Sequence, residues 1–214
     1  MFKIRLFGLI LRLMNVKGKA ERTKQFIIEQ AAPIFNSKGI AGTTIDDILA
    51  ATKMAKGGIY GNFENKEAIS IASVDFIFGK MSARTYSVIS KEKTAVKKLF
   101  AFIDLRKNPL VPFIEGGCPI LNFGVDSDNT NPAVKKKVKA MIEGSMILFI
   151  DILKQGIAEG ELSEKLNPEE YCLKVLVMLE GATLVSRVTD SVKPMQTVIK
   201  ILKSELKSFE IKQV

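Results

Sequence analysis

Nowhere in these 214 residues does apolar and polar alternation persist long enough to make a half-buried strand, whereas apolar residues recur every three or four positions through most of the chain. A strand exposes its faces with period 2 and a helix with period 3.6, so this pattern dictates an all-α fold. Punctuation then divides it. Thr23 is expected to cap a helix to about Lys38, with Ile27, Ala31, Ile34 and Phe35 on one face and Gly39 as its stop. Pro33 falls inside that helix and should bend it, because proline removes a backbone hydrogen bond. Thr44 and Asp47 form a capping box ahead of a short helix at 45–51, a third helix covers 55–62, and Asn65 caps a fourth over about 66–88. Later helices are predicted at 92–107, 109–115, 132–159 (opened by Pro132, ended by Gly160), 168–190 (behind Asn167 and Pro168) and 194–209 (opened by Pro194). That makes about nine helices. The density of Gly, Pro, Asn and Asp over 116–131 predicts an irregular stretch.

The chain has no histidine, which removes imidazole acid–base chemistry, histidine-based triads and the common zinc-protease pattern. No catalytic residues, metal ligands or cofactor are assigned, and the chain is not expected to be an enzyme. Two cysteines, Cys118 and Cys172, are too few and too far apart for a disulfide framework or a metal knuckle, and fit a reducing cytoplasm. Net charge is +9, and it is unevenly placed: residues 1–67 carry 11 Lys and Arg against 6 Asp and Glu, while 68–214 carry 21 against 17. A basic N-terminal part fits a polyanionic partner. The leading segment MFKIRLFGLILRL is broken by Arg5 and Arg12 and falls short of the roughly 20 apolar residues that span a bilayer. It reads either as a start placed too early, with Met14 the native one, or as an amphipathic surface helix. Stable membrane insertion is not expected.

Two short helices joined by a tight turn and braced by a preceding helix make a helix-turn-helix, which seats its second helix in the major groove of DNA. The segment 23–69 carries Ala31, Ala32 and Phe35, then Gly39, then Thr43, Thr44 and Ile48, then Lys56, Gly57, Ile59, Tyr60, Phe63, Lys66 and Glu67. In these residues and their spacing it resembles the DNA-binding domain of the TetR (tetracycline-repressor-like) family. The resemblance implies a DNA-binding domain at 22–69 behind an N-terminal arm at 1–21, and a larger helical domain at 70–214 for ligand binding and dimerisation. It further implies a homodimer that binds double-stranded DNA through a roughly palindromic site, most often as a repressor released by a small molecule.

The residues assigned to DNA are Thr43, Thr44, Ala55, Lys56, Gly57, Gly58, Tyr60, Gly61, Asn62 and Lys66. Thr44, at a helix N-terminus, serves either as a cap alone or also as a phosphate seat. Lys56 can reach a phosphate or the acceptors of guanine. Tyr60 either sets its hydroxyl against a phosphate or simply packs, and Lys66 can neutralise a further phosphate. Gly57 and Gly58 each cost a helix about 1 kcal/mol relative to alanine, so a close backbone approach is expected there. The sequence departs from the family at four positions of this segment. Lys53 replaces the usual turn glycine, Ala55 the usual capping serine, Asn62 a frequent histidine, and Gly61 a larger residue.

In the larger domain, Phe76, Phe100, Phe113, Cys118 and Phe149 are the candidate lining of an effector pocket, with plain core as the alternative for each. Cys118 would act as a sensor only with an exposed thiol of lowered pKa. Leu173, Leu176, Val177, Leu179, Leu184 and Val185 around Gly181 and Ala182, and Val198, Ile199, Ile201, Leu202 and Leu206 on the last helix, give more apolar faces than one packed side needs. Self-association through 168–190 and 194–209 is therefore expected. The rival readings are a helical small-molecule enzyme or carrier, and a membrane-surface protein anchored by residues 1–13.

Overall fold

The computed structural model describes residues 18–211, so both readings of the segment 1–13 lie outside the described residues. Nine helices and no strand occur among them. They are α1 (Lys19–Gly42), α2 (Ile45–Thr52), α3 (Lys56–Tyr60), α4 (Lys66–Ile89), α5 (Ala95–Asp104), α6 (Pro119–Ser127), α7 (Pro132–Ala158), α8 (Pro168–Val188) and α9 (Lys193–Ser208). No described helix is long and apolar enough to cross a membrane.

The local caps form as the side chains dictate. Thr44 accepts from the Asp47 amide while the Asp47 carboxylate takes the Thr44 N–H, Asn65 accepts from Ala68, Asn131 from Val134, and Asn167 from Glu169 and Glu170. Thr23 is not a cap. The helix formers Lys19 to Arg22 carry α1 back a full turn, and the Thr23 hydroxyl donates to the Lys19 carbonyl at 3.1 Å. Inside α1 the one departure from helical backbone angles is at Gly39 (φ 75°, ψ 169°), not at Pro33. Proline's fixed φ is itself helical, whereas the angles at Gly39 are open essentially to glycine alone.

Two other expectations fail, with a common cause. The segment 109–115 holds no helix, because Pro109 and Pro112 lack the amides that would propagate one and leave only isolated turns, such as that of the Val111 N–H to the Asn108 carbonyl at 3.3 Å, and α5 is shorter than 92–107, running from its Thr94 cap only to Asp104. Conversely, 116–131 is not irregular throughout. Pro119 opens α6, which buries Ile120 and Phe123 three residues apart. The loop-like composition of 116–131 describes the flanks of α6 and not its body.

Buried apolar residues gather in two clusters. The first joins α1 to α4 with Cys118, Ile120 and Phe123 near α6 and Val134 and Val138 at the start of α7. The second joins α5, the rest of α7, α8 and α9 around Leu99, Leu153, Leu179 and Leu202. Helix α6 therefore packs its apolar face into the same core as the N-terminal helices, lying against α1 on one side and α7 on the other.

Candidate functional site

Helix α2, a turn and α3 make the helix-turn-helix, braced by α1 and α4. Ile48 and Ile59 are fully buried and fix α2 and α3 on that brace. The turn is closed by Lys53, whose φ of 55° and ψ of 26° place a non-glycine residue in the left-handed region while its N–H bonds the Leu49 carbonyl at 2.8 Å. That conformation costs a side-chain-bearing residue about 1 kcal/mol or more, of which glycine's extra freedom in the unfolded chain would return roughly half. Lys53→Gly is therefore expected to raise stability by about 0.5 kcal/mol, a rise of about 1–2 °C in Tm by thermal denaturation. No change or a loss would show that Lys53 has compensating contacts. Ala55 stands at the cap position of α3 and offers no side-chain bond.

Of the residues assigned to DNA, Thr44, Ala55, Lys56, Gly57, Tyr60 and Gly61 are exposed, and Asp46, Ala50 and Lys53 of the same unit are exposed with them. The Lys56 ammonium lies 6.0 Å from the centre of the Tyr60 ring, so cation and phenol share one face. A Cβ on Gly57 would meet nothing within 4 Å, so packing within the protein does not require a glycine there. A Cβ on Gly58 would sit 2.9 Å from Cε of Met54, the far end of a flexible side chain that can swing aside. Asn62 turns inward and donates to the Gly58 carbonyl at 2.8 Å.

Two of the residues assigned to DNA serve the fold instead. Thr43 is 0% exposed, and its hydroxyl donates to the Gly39 carbonyl at 2.7 Å, so it presents nothing to a partner. Lys66 is half-buried and its ammonium donates to the carbonyls of Ile40 and Thr43 at 2.8 Å each, satisfying acceptors at the end of α1. The Thr44 hydroxyl donates to the Asp47 carboxylate at 2.9 Å. That carboxyl is held down at about 2, first by the Lys38 ammonium 2.6 Å away and then by the Thr44 amide and hydroxyl.

The five pocket candidates do not converge. A cavity of about 100 Å³ lies between α4, the 105–119 segment and α8, and of the five only Phe113 and Cys118 line it. Phe76 packs half-buried against the N-terminal core under the Lys80 ammonium and shares a second cavity, of about 230 Å³, with Phe113; Phe100 is covered by Lys203, and Phe149 is core, its ring 4.2 Å from that of Phe102. Periodicity marks all five as apolar without saying which helix each faces. Cys118 is also no exposed thiolate. It is buried, donates to the Glu180 carboxylate at 2.9 Å, and is pushed up to about 11 by desolvation and by the charge of Glu180.

Sequence reasoning missed the groups that organise this cavity. The Arg106 guanidinium pairs with Glu180 at 3.2 Å and lies beside Cys118 Sγ at 3.8 Å, although 74 residues separate the two charges. It missed equally the joint between the cavity and the helix-turn-helix. The Asn36 side chain donates to the carbonyls of Glu115 (2.6 Å) and Gly117 (3.3 Å), and Asn122 of α6 returns a bond to the Asn36 carbonyl at 2.8 Å. One turn further on, the Asp126 carboxylate of α6 accepts the Ile40 N–H at 2.8 Å, just past the break at Gly39. Single asparagines and an aspartate in loop-like sequence carry no local signal of such partners.

The fold and these residues have relatives. Residues 27–72 match the model of bacterial regulatory proteins of the tetR family, and residues 95–202 match a tetracyclin repressor-like C-terminal domain. A crystal structure of a TetR-family transcriptional regulator from Cytophaga hutchinsonii is 33% identical, covers 93% of this chain and 100% of its own, and superposes with a TM-score of 0.86. A TetR transcriptional regulator from Chloroflexus aurantiacus J-10-FL is also 33% identical, over 90% of this chain and 98% of its own, with a TM-score of 0.86. The HTH-type transcriptional repressor DhaR of Mycobacterium sp. (strain GP1) is 22% identical over 181 residues, which are 84% of this chain and 89% of the relative. The chain is a DNA-binding transcriptional regulator belonging to the tetR family.

Proposed function

We propose that this regulator is a cytoplasmic homodimeric repressor, that α3 enters the major groove of a palindromic operator, and that a small molecule in the cavity beside Cys118 releases it. In this reading residues 22–69 are the DNA-binding head and 70–214 the effector and dimer domain. The DNA surface is Thr44, Ala55, Lys56, Gly57, Tyr60 and Gly61, with Lys53 beside it in the turn.

The observation that carries the proposal is the joint between cavity and head. Gly117, Cys118 and Pro119 line the cavity and lead directly into α6, and α6 holds α1 through Asn122 and Asp126. A ligand that displaces the start of α6 pulls on the end of α1, where Lys66 of α4 is also attached. Binding at one site then biases the position of the other, which is the coupling an effector needs.

Dimerisation through α8 and α9 has its own support. Leu173, Val177, Leu184 and Val188 recur on one face of α8 and are exposed, Val188 at 75%, and Ile201 of α9 is 46% exposed. Gly181 lies in the same stripe with nothing within 4 Å of its Cβ position, which leaves room for a second helix to approach. Such a stripe is too apolar for a solvated face and suits an isologous two-fold contact. Val177→Asp with Leu184→Asp is expected to give a monomer in sedimentation velocity, and a variant that stays dimeric would place the contact elsewhere.

The head is tested by fluorescence anisotropy on DNA flanking the chain's own gene, across a salt series. Lys56→Ala with Tyr60→Phe is expected to weaken specific binding by about tenfold or more and to reduce the salt slope by about 1 for the lost lysine contact. A double variant that binds like the parent would remove α3 from the recognition surface.

A further inference from the structure

The cavity beside α6 is cationic, and its charge is only half answered. Arg84 and Arg106 both line it, and no aspartate or glutamate does. Arg84 lies over the Phe113 ring at 4.9 Å and makes no ion pair among the described residues. Arg106 is set deeper. Its Nη1 alone serves both Glu180 and Cys118, and among the described residues neither Nε nor Nη2 donates a hydrogen bond to the protein. Arg187, close behind, donates to the carbonyls of Pro109 and Gly116 and likewise has no carboxylate partner among the described residues. Two guanidinium groups thus line the cavity with a third behind it, and Glu180, the one carboxylate that pairs with any of them among the described residues, is already shared by Arg106 and Cys118.

A guanidinium presents its donors in a planar fork, and the Nε and Nη2 edge matches the two oxygens of a carboxylate. In Arg106 that edge is held open in a fixed orientation by the bonds on Nη1. Met81, Val111, Pro112 and Phe113 offer hydrocarbon and an aromatic face beside the polar side chains of Thr85, Asn108 and Thr183, and at about 100 Å³ the space suits a small body and not a long chain. Resting on the reading of this cavity as the effector site, we propose that its ligand is a small organic carboxylate, seated by its oxyanion on the open edge of Arg106 with its apolar body against Phe113.

The reading is tested by calorimetric titration of the full chain with acetate, butyrate and benzoate, each against its matched neutral amide. At least one acid is expected to bind about tenfold tighter than its own amide, because a guanidinium fork favours the charged partner. Arg106→Lys keeps the charge but loses the fork and is expected to weaken that acid by about tenfold. Should that variant lose its helical circular dichroism, Arg84→Gln on the exposed rim supplies the second arm, lowering affinity for the acid and leaving the amide unmoved. Amides that bind as well as acids, no acid binding at all, or an Arg106→Lys variant that is folded and unaltered would each overturn the proposal. Anisotropy on bound DNA separates this from the regulatory reading. An acid that binds without releasing DNA supports the ligand class and removes the effector role, whereas release by the amides alone keeps the effector role and removes the ligand class.

Discussion

Glu180→Ala is expected to cost about 3 kcal/mol of stability, at the lower end of what removing one partner of a buried ion pair costs. Glu180 keeps only 10% of its side-chain exposure and Arg106 20%, so truncating the carboxylate strands a guanidinium that solvent reaches poorly. It also strips the Cys118 thiol of its acceptor. The residual exposure of Arg106, its stacking 5.9 Å from Phe102 and its bond to Cys118 keep the cost from rising further. Chemical denaturation of single and double variants checks this. Arg106→Met with Glu180→Leu should recover most of the loss, since well-packed apolar groups of similar volume often replace a buried pair without penalty. A single-variant loss below about 1 kcal/mol would mean that the pair is solvated like a surface one. The same variant has a chemical signature. Glu180 is the second cause, after desolvation, of the raised Cys118 pKa, so its removal shifts the pH profile of thiol alkylation downwards from about 11.

What the sequence made legible and what it hid divide by distance along the chain. Thr44 with Asp47, Asn65 and Asn167 act on amides two or three residues away, so their chemistry can be read from adjacent letters, and the helices they open lie where expected. The spacing of Lys56, Gly57 and Tyr60 likewise brings them to one exposed face, because a short helix leaves few alternatives. Thr43 and Lys66 carry the same chemical letters as DNA-contacting residues, yet Gly39 breaks α1 and leaves carbonyls at Gly39, Ile40 and Thr43 that these two side chains satisfy. Arg106, Glu180, Asp126 and Asn36 find partners 74 to 86 residues away, and no local period records that. The aromatic pocket expected from Phe76, Phe100 and Phe149 fails for a related reason. Helical spacing identifies an apolar face but not the neighbour it meets, and packing sends these three rings to three different places.

The joint between cavity and head is also where the backbone tolerates least change, and Gly116→Ala is expected to lower stability by about 3 kcal/mol or more. Gly116 sits at φ 96°, outside the range of a residue with a side chain. A Cβ built there would lie 2.7 Å from Cα of Ser37 and 2.8 Å from the carbonyl carbon of Asn36, both backbone atoms of α1 that no rotamer change can move. Strain and overpacking therefore add, and relief requires separating the 115–118 segment from α1, which breaks the bonds of Asn36 to Glu115 and Gly117. Arg187 and Asn122 also hold the Gly116 carbonyl, so the displacement reaches α8 and α6 together. Gly144→Ala on the exposed face of α7 is the matched control. Its Cβ meets nothing within 4 Å, and alanine there should raise stability by up to about 1 kcal/mol through helix propensity. Thermal denaturation at one protein concentration should separate the two by about 6–16 °C in Tm for a chain of this length. Equal melting temperatures would show that the 115–118 segment is not clamped to α1, and the proposed coupling of cavity to DNA would have to run through α4 instead.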